Sequence, residues 1–229
     1  MVESLYFVPA WFFNIDILLG VLFILVTSFV AGYSFKIYKV TRERNFQLFG
    51  FAFSLLSLSY LIRIMLNIFL TTVAQGPRGI LLLLFGLTRA SEIIIYIYVL
   101  LFVLGYLTLA YTSLRSRSKT VYIMLAALSI LAVLVTEYKS LTFYFISSMF
   151  LAFISYHYYR RVKDSPKNKN QRKIFYAMLL LLASNLLFMI IGDYQFYYGY
   201  IVTETIELVA YGLIATTLFR IINHGKKER

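Results

Sequence analysis

Of the 229 residues, 61% are hydrophobic and 14% charged, with mean hydropathy +0.78, a balance that excludes a soluble globular domain. The net charge of +12 would point a soluble chain toward nucleic acid. Here the excess sits in short loops between apolar runs, so no nucleic-acid partner is expected, and the absence of cysteine removes disulfides, thiol catalysis and thiolate metal sites.

The chain starts MVESLYFVPAWFF, with neither a basic n-region nor a small-residue cleavage site. The first apolar run is therefore read as a retained helix and not as a cleaved signal peptide. Candidate spans follow at Asp16–Ile37, Phe46–Thr71, Glu92–Leu114, Val121–Val135, Leu141–Tyr159, Ile174–Ile191 and Tyr198–Phe219. Each lies near the roughly 20 residues that a helix needs to cross hydrocarbon. Runs this long are helices, and the polar alternation of barrel strands is absent. Between the second and third spans, Gly79–Leu87 is apolar but too short to cross. Joined to the third span it would give a helix of about 54 Å, well beyond a ~30 Å core. It is read as a separate outer segment, interfacial or re-entrant, with a break near Thr88, Arg89 and Ala90. The three prolines, Pro9, Pro77 and Pro166, all fall outside the spans, and aromatic residues crowd several span ends. The expected fold is all-α: one seven-helix transmembrane domain covering residues 1–229, with a tail after Phe219 too short to fold alone.

The basic residues orient this bundle. Lys36, Lys39, Arg42 and Arg44 follow the first span, and Arg115, Arg117 and Lys119 follow the third. Seven more fill Arg160–Lys173 after the fifth, and Arg220, Lys226, Lys227 and Arg229 follow the last. The opposite loops hold Arg78, Arg89 and Lys139, while Arg63 lies within a span. Positive loops stay cytoplasmic, which places the N-terminus outside and the C-terminus inside, in the cell membrane. The Arg160–Lys173 loop reads as an orientation signal, and it can also hold anionic lipid headgroups at roughly 1 kcal/mol per basic residue. A faint repeat aligns Gly105–Arg115 with Ala210–Arg220, matching at Tyr, Ala, Thr and Arg. Ala31, Ser34 and Tyr38 likewise align with Ala152, Ser155 and Tyr159. Spans one to three would then repeat as five to seven about the membrane normal, with the fourth as linker.

A charge inside hydrocarbon costs roughly 2.5–3.5 kcal/mol on insertion scales, so those that occur carry information. Arg63 lies about 12 Å below the outer surface, with Glu204 and Glu207 about 9 and 13 Å down. Tyr197, Tyr200, Glu204, Glu207 and Tyr211 form one continuous helical stripe, and Ser59, Arg63 and Asn67 form another. Both stripes should face the bundle interior, with Glu92 and Tyr96 adding a third wall. This spacing predicts an outward polar cavity. Glu204, Glu207, Arg63, Asn67, Tyr200, Tyr211 and Glu92 are the candidate ligand-binding residues. The competing reading is an ion pair of Arg63 with Glu204 or Glu207 that only joins helices. Asp16, Glu92 and Asp193 read first as wetted helix ends.

Catalytic machinery is not visible. The two histidines, His157 and His224, have no partner at metal-ligand spacing, and no phosphate loop, nucleophile elbow or metalloprotease motif occurs. No enzyme activity, metal or cofactor is expected. The topology resembles that of microbial rhodopsins, heptahelical receptors and small 3+1+3 sugar transporters, without a matching motif. The last span lacks the lysine that would hold retinal as a Schiff base, and the proline-bearing helices usual in receptors and sugar transporters are absent. The reading is a non-enzymatic, multi-pass membrane protein that binds a small polar or cationic ligand and signals through a cytoplasmic protein partner. The alternatives are a small-solute or proton-coupled transporter and a structural or assembly subunit.

Overall fold

The computed structural model describes residues 13–75, 87–114, 118–136, 139–165, 168–191 and 197–227. Among these are seven α-helices and no strand: α1 (Phe13–Thr41), α2 (Arg44–Gln75), α3 (Leu87–Leu114), α4 (Lys119–Val135), α5 (Lys139–Asp164), α6 (Lys169–Ile191) and α7 (Tyr197–Lys227). Several helices outrun the predicted spans. Polar residues at their ends, such as Arg44 and Asn45 on α2, extend the helix beyond the apolar stretch. α3 is helical from Leu87 on, through Thr88, Arg89 and Ala90. Neither glycine nor proline stands between Leu87 and Leu104 to stop it. The rest of the predicted outer segment, residues 79–86, lies outside the described residues.

Turn chemistry sets how consecutive helices meet. Arg42 takes the left-handed conformation at φ 56°, and its N–H donates to the Tyr38 carbonyl at 2.8 Å. This is the αL ending of a helix, built on a residue other than glycine, and α2 starts two residues later. At α6, Asn168 Oδ1 accepts from the N–H groups of Asn170 and Gln171 at 3.1 and 3.3 Å, an N-cap that satisfies two orphan donors.

The helices form a ring. α1 packs on α2, α2 on α3, α3 on α5, α5 on α6, α6 on α7, and α7 returns to α1. α4 stands outside that ring, and among the described residues it touches α3 and α5 alone. Small residues allow the close approaches: a Cβ on Gly20 would lie 2.7 Å from the Ile64 side chain, and one on Gly105 2.9 Å from Leu56. Hydroxyl bonds join neighbours, with Ser28 and Ser57 linking α1 to α2 at 2.7 Å and Ser184 donating to the Thr203 carbonyl on α7 at 3.0 Å. Across the ring the spacing is wider. Among the described residues, no Cα of α2 or α3 comes within 8 Å of one on α7. Only long side chains can close that gap.

Apolar surface is on the outside. Leu18, Phe29, Met65, Ile93, Leu128, Met149, Ile190 and Val202 are each exposed by half or more, or nearly so, and they include a residue from every helix. Fully buried positions inside include Tyr60, Tyr106, Tyr211, Ser34, Ser59, Ser184, Thr203 and Thr217. A monomer in water rarely shows so much apolar surface, and a lipid-facing exterior accounts for it. Five helices are long and apolar enough to cross a membrane: α1, α2, α3, α6 and α7. α4 is apolar but has 17 residues. α5 is longer, and its serines, tyrosines and terminal charges keep it out of that set.

Candidate functional site

Where α1, α2 and α7 face one another at one end of the ring, the side chains that bridge it are charged. Asp16 sits in the first turn of α1, where the positive end of the helix dipole favours a carboxylate. Arg63 crosses from α2. Its Nη2 lies 2.6 Å from Asp16 Oδ1 and 2.5 Å from Glu204 Oε1 on α7, and it also donates to the Tyr200 hydroxyl. Asn67, one turn on from Arg63, donates from Nδ2 to Asp16 Oδ2 at 2.6 Å. The Asp16 and Glu204 side chains are 2% and 1% exposed and that of Arg63 is 11% exposed, so water contributes little to any of these pairs. Glu204 Oε2 is buried and has no hydrogen-bond partner among the described residues.

One turn deeper the chemistry changes from charge to phenol. Glu207 Oε1 accepts from the Tyr60 hydroxyl at 2.5 Å and from the Tyr211 hydroxyl at 3.3 Å. Tyr211 in turn meets Tyr106 of α3 at 3.2 Å and Tyr60 at 3.4 Å. Aromatic packing holds these three phenols in place. Phe23 stacks on Tyr60 at 4.8 Å between ring centroids, and Phe102 sits edge-on to Tyr60 and Tyr106 at 5.3 and 5.0 Å. Rings held at such contacts have few other rotamers available, so the hydroxyls are preorganised around Glu207.

Between these layers and the α5–α6 side lies a cavity of about 20 Å³. Its polar wall is Tyr60, Arg63, Asn185 and Glu207, and its aromatic wall includes Phe102, Phe143 and Phe188. A volume of this size holds about one water. This cavity, as the described residues shape it, has no room for an organic molecule.

Asp16, Glu204 and Glu207 together bring three buried carboxylates, and among the described residues the cation that touches them is Arg63. If all four groups were ionised, two negative charges would stand uncompensated in a low-dielectric interior. Such a state costs far more than its internal hydrogen bonds return, so protons or a bound cation must make up the difference.

Of the candidate residues, Arg63, Asn67, Tyr200 and Glu204 come together in the charged layer, while Glu207 and Tyr211 meet in the phenol layer. Arg63 pairs with Glu204. Glu92 lies within α3, but its side chain is outside the described residues, as are those of Tyr197 and His224 and the whole of Asp193. Asp16 is a correction: it is 3% exposed and ion-paired, and not a wetted helix end. α1 begins at Phe13, which sets Asp16 one turn inside the helix and directly opposite Arg63. Sequence reasoning passed over Tyr60, Tyr106 and Asn185. Tyr60 carried a signal, standing three residues before Arg63 and so on the same helical face.

An all-helical integral membrane protein with a buried, acid-rich polar interior is the class that fold and site define. No protein-family model, curated protein or solved structure matches the chain.

Proposed function

We propose that this protein is a non-enzymatic, seven-span sensor of the cell membrane that takes up a small cationic species from outside into its polar interior and signals through a cytoplasmic partner. The observation that carries the reading is that, among the described residues, three carboxylates are buried in one polar interior and the guanidinium of Arg63 pairs with two of them. A purely structural pin needs one ion pair, and burying further carboxylates destabilises the bundle unless something returns when they are neutralised. The described cavity suits a species about the size of a water. In this reading α4, about 26 Å long, and the apolar part of α5 also cross the bilayer, and the basic loops keep the C-terminus inside.

The absence of cysteine makes the test direct, because two introduced cysteines carry spin labels without background. Val40 on α1 and Tyr159 on α5 are exposed at the basic end of the bundle, far in sequence from the carboxylates. With labels at Val40→Cys and Tyr159→Cys, neutralisation by Glu204→Gln or Glu207→Gln should displace the inter-label distance distribution. Identical distributions in the parent and both variants would reduce the charged layer to a static pin. A tag in the Arg160–Lys173 loop that proved reachable from outside would overturn the orientation.

A second reading, transport, has an observation of its own. Exchanging α1, α2 and α3 for α5, α6 and α7 maps the ring of contacts onto itself. Tyr106 and Tyr211, matched in the proposed repeat, meet at its centre. Cation-driven uptake into liposomes that disappears in Glu207→Gln would favour transport over sensing.

A further inference from the structure

We infer that the small cavity between α2, α6 and α7 is a binding site for one dehydrated monovalent inorganic cation, held by Asn185 Oδ1, the Glu207 carboxylate and the Tyr60 hydroxyl oxygen. The inference rests on the proposed uptake of a cationic species and names its chemical class and its seat. Asn185 supplies the first observation. The residue is 3% exposed and lines the cavity with its amide beside the Tyr106 hydroxyl, and among the described residues its Oδ1 is buried with no hydrogen bond of normal geometry. The orientation of the amide is not arbitrary: Nδ2 donates to the Leu181 carbonyl at 3.1 Å, and turning the group over would set two acceptors against each other. A buried carbonyl oxygen left open is costly in a protein interior, and a cation is one of the few species that repays it.

Glu207 supplies the charge. The two phenols engage one of its oxygens, Oε1, in every hydrogen bond described for it. Tyr60 donates its hydrogen to that oxygen, so the lone pairs of its own hydroxyl remain to coordinate. Arg63 also lines the cavity and would repel a cation, but its Nη2 is already committed to Asp16 and Glu204, whose two carboxylates exceed its single charge. The donor set has one carboxylate and neutral oxygens, which balances a monovalent ion. Small divalent ions need near-octahedral oxygen shells and usually several anionic or water ligands, for which a 20 Å³ space offers no room. Phe102 and Phe143 add an apolar side to the cavity, which lowers the local dielectric around the Glu207 charge.

The test is linkage. Full-length protein in lipid nanodiscs is unfolded thermally in rising NaCl, with N-methylglucamine chloride holding ionic strength constant, and KCl and LiCl as companions. A ligand that binds the folded state alone should raise the apparent Tm by about 3 °C for each tenfold increase above half-saturation. Asn185→Leu should remove that dependence, whatever Tm it shows in N-methylglucamine. Should that variant fail to fold, Glu207→Gln, which keeps the shape and one acceptor oxygen, should weaken the dependence in the same way. A Tm indifferent to the cation, or one equally responsive in Asn185→Leu, overturns the inference. So does a Tm that follows pH alone, because a proton would then be the occupant. Cation-dependent stability with immobile labels would leave this site standing and remove the sensing reading. Mobile labels with no cation dependence would do the reverse.

Discussion

Glu204 and Glu207 stand three residues apart on the same face of α7, yet the fold answers them differently. Glu204 meets a guanidinium that it shares with Asp16, and Glu207 meets two phenols. The difference originates on α2, where Arg63 and Tyr60 are also three residues apart and reach across the ring at matching heights. Arg63 keeps an anionic partner so long as either Asp16 or Glu204 stays ionised, so this layer holds an ion pair throughout. A carboxylate among phenols can exchange a proton or a cation for the dipoles around it, since each hydroxyl can donate or accept. The charged layer is therefore the fixed point of the bundle, and the phenol layer beneath it is the part able to respond.

Breaking the fixed point should have the largest effect. Arg63→Leu strands Asp16 and Glu204 without their cation and should cost about 3–5 kcal/mol, read as a collapse of thermal stability or of folded yield. Tyr60→Phe removes the hydrogen bond to Glu207 while keeping the ring stack on Phe23. It should cost about 1.5–3 kcal/mol, read as a lower Tm with an unchanged helical signal. Gly105→Val tests packing: its side chain would press on Leu56 and on the Ala52 carbonyl, costing about 1–3 kcal/mol. Glu207→Gln keeps an acceptor for Tyr60 and removes a buried charge, so thermal unfolding should find it less destabilising than Glu204→Gln by about 1 kcal/mol. If the two prove equal, the layers do not differ and the comparison fails. The smallest change is favourable. Arg42→Gly relieves the left-handed residue in the α1–α2 turn and should raise stability by up to about 1 kcal/mol.

Much of the interior was legible in the helical stripes. Ser59 and Asn67 are buried on the face that their spacing assigned, and Arg63 points inward with them. Glu204, Glu207 and Tyr211 are likewise turned inward on α7. Periodicity along one helix says which face is inside, but it does not say what stands opposite. Asp16 was misjudged because a carboxylate near the start of an apolar run looks the same whether it meets water or an arginine from another helix. Tyr106 was marked only by the repeat, and Asn185 by nothing, for a related reason. A single tyrosine or asparagine in an apolar helix is ordinary, and its meaning comes from other helices, for Tyr106 from Tyr211, 105 residues further along the chain.

Sequence alone determined the class of this protein: long apolar helices with polar stripes, an excess of basic residues in alternate loops, and acidic residues grouped with one arginine. Those are properties of composition and of 3.6-residue periodicity, both of which are local. The tertiary structure decided which carboxylate takes the arginine, which takes the tyrosines, and that the space between them is about 20 Å³. These outcomes depend on how far apart α2 and α7 stand across the ring and on which side chains are long enough to meet there. No spacing within a single helix carries that distance.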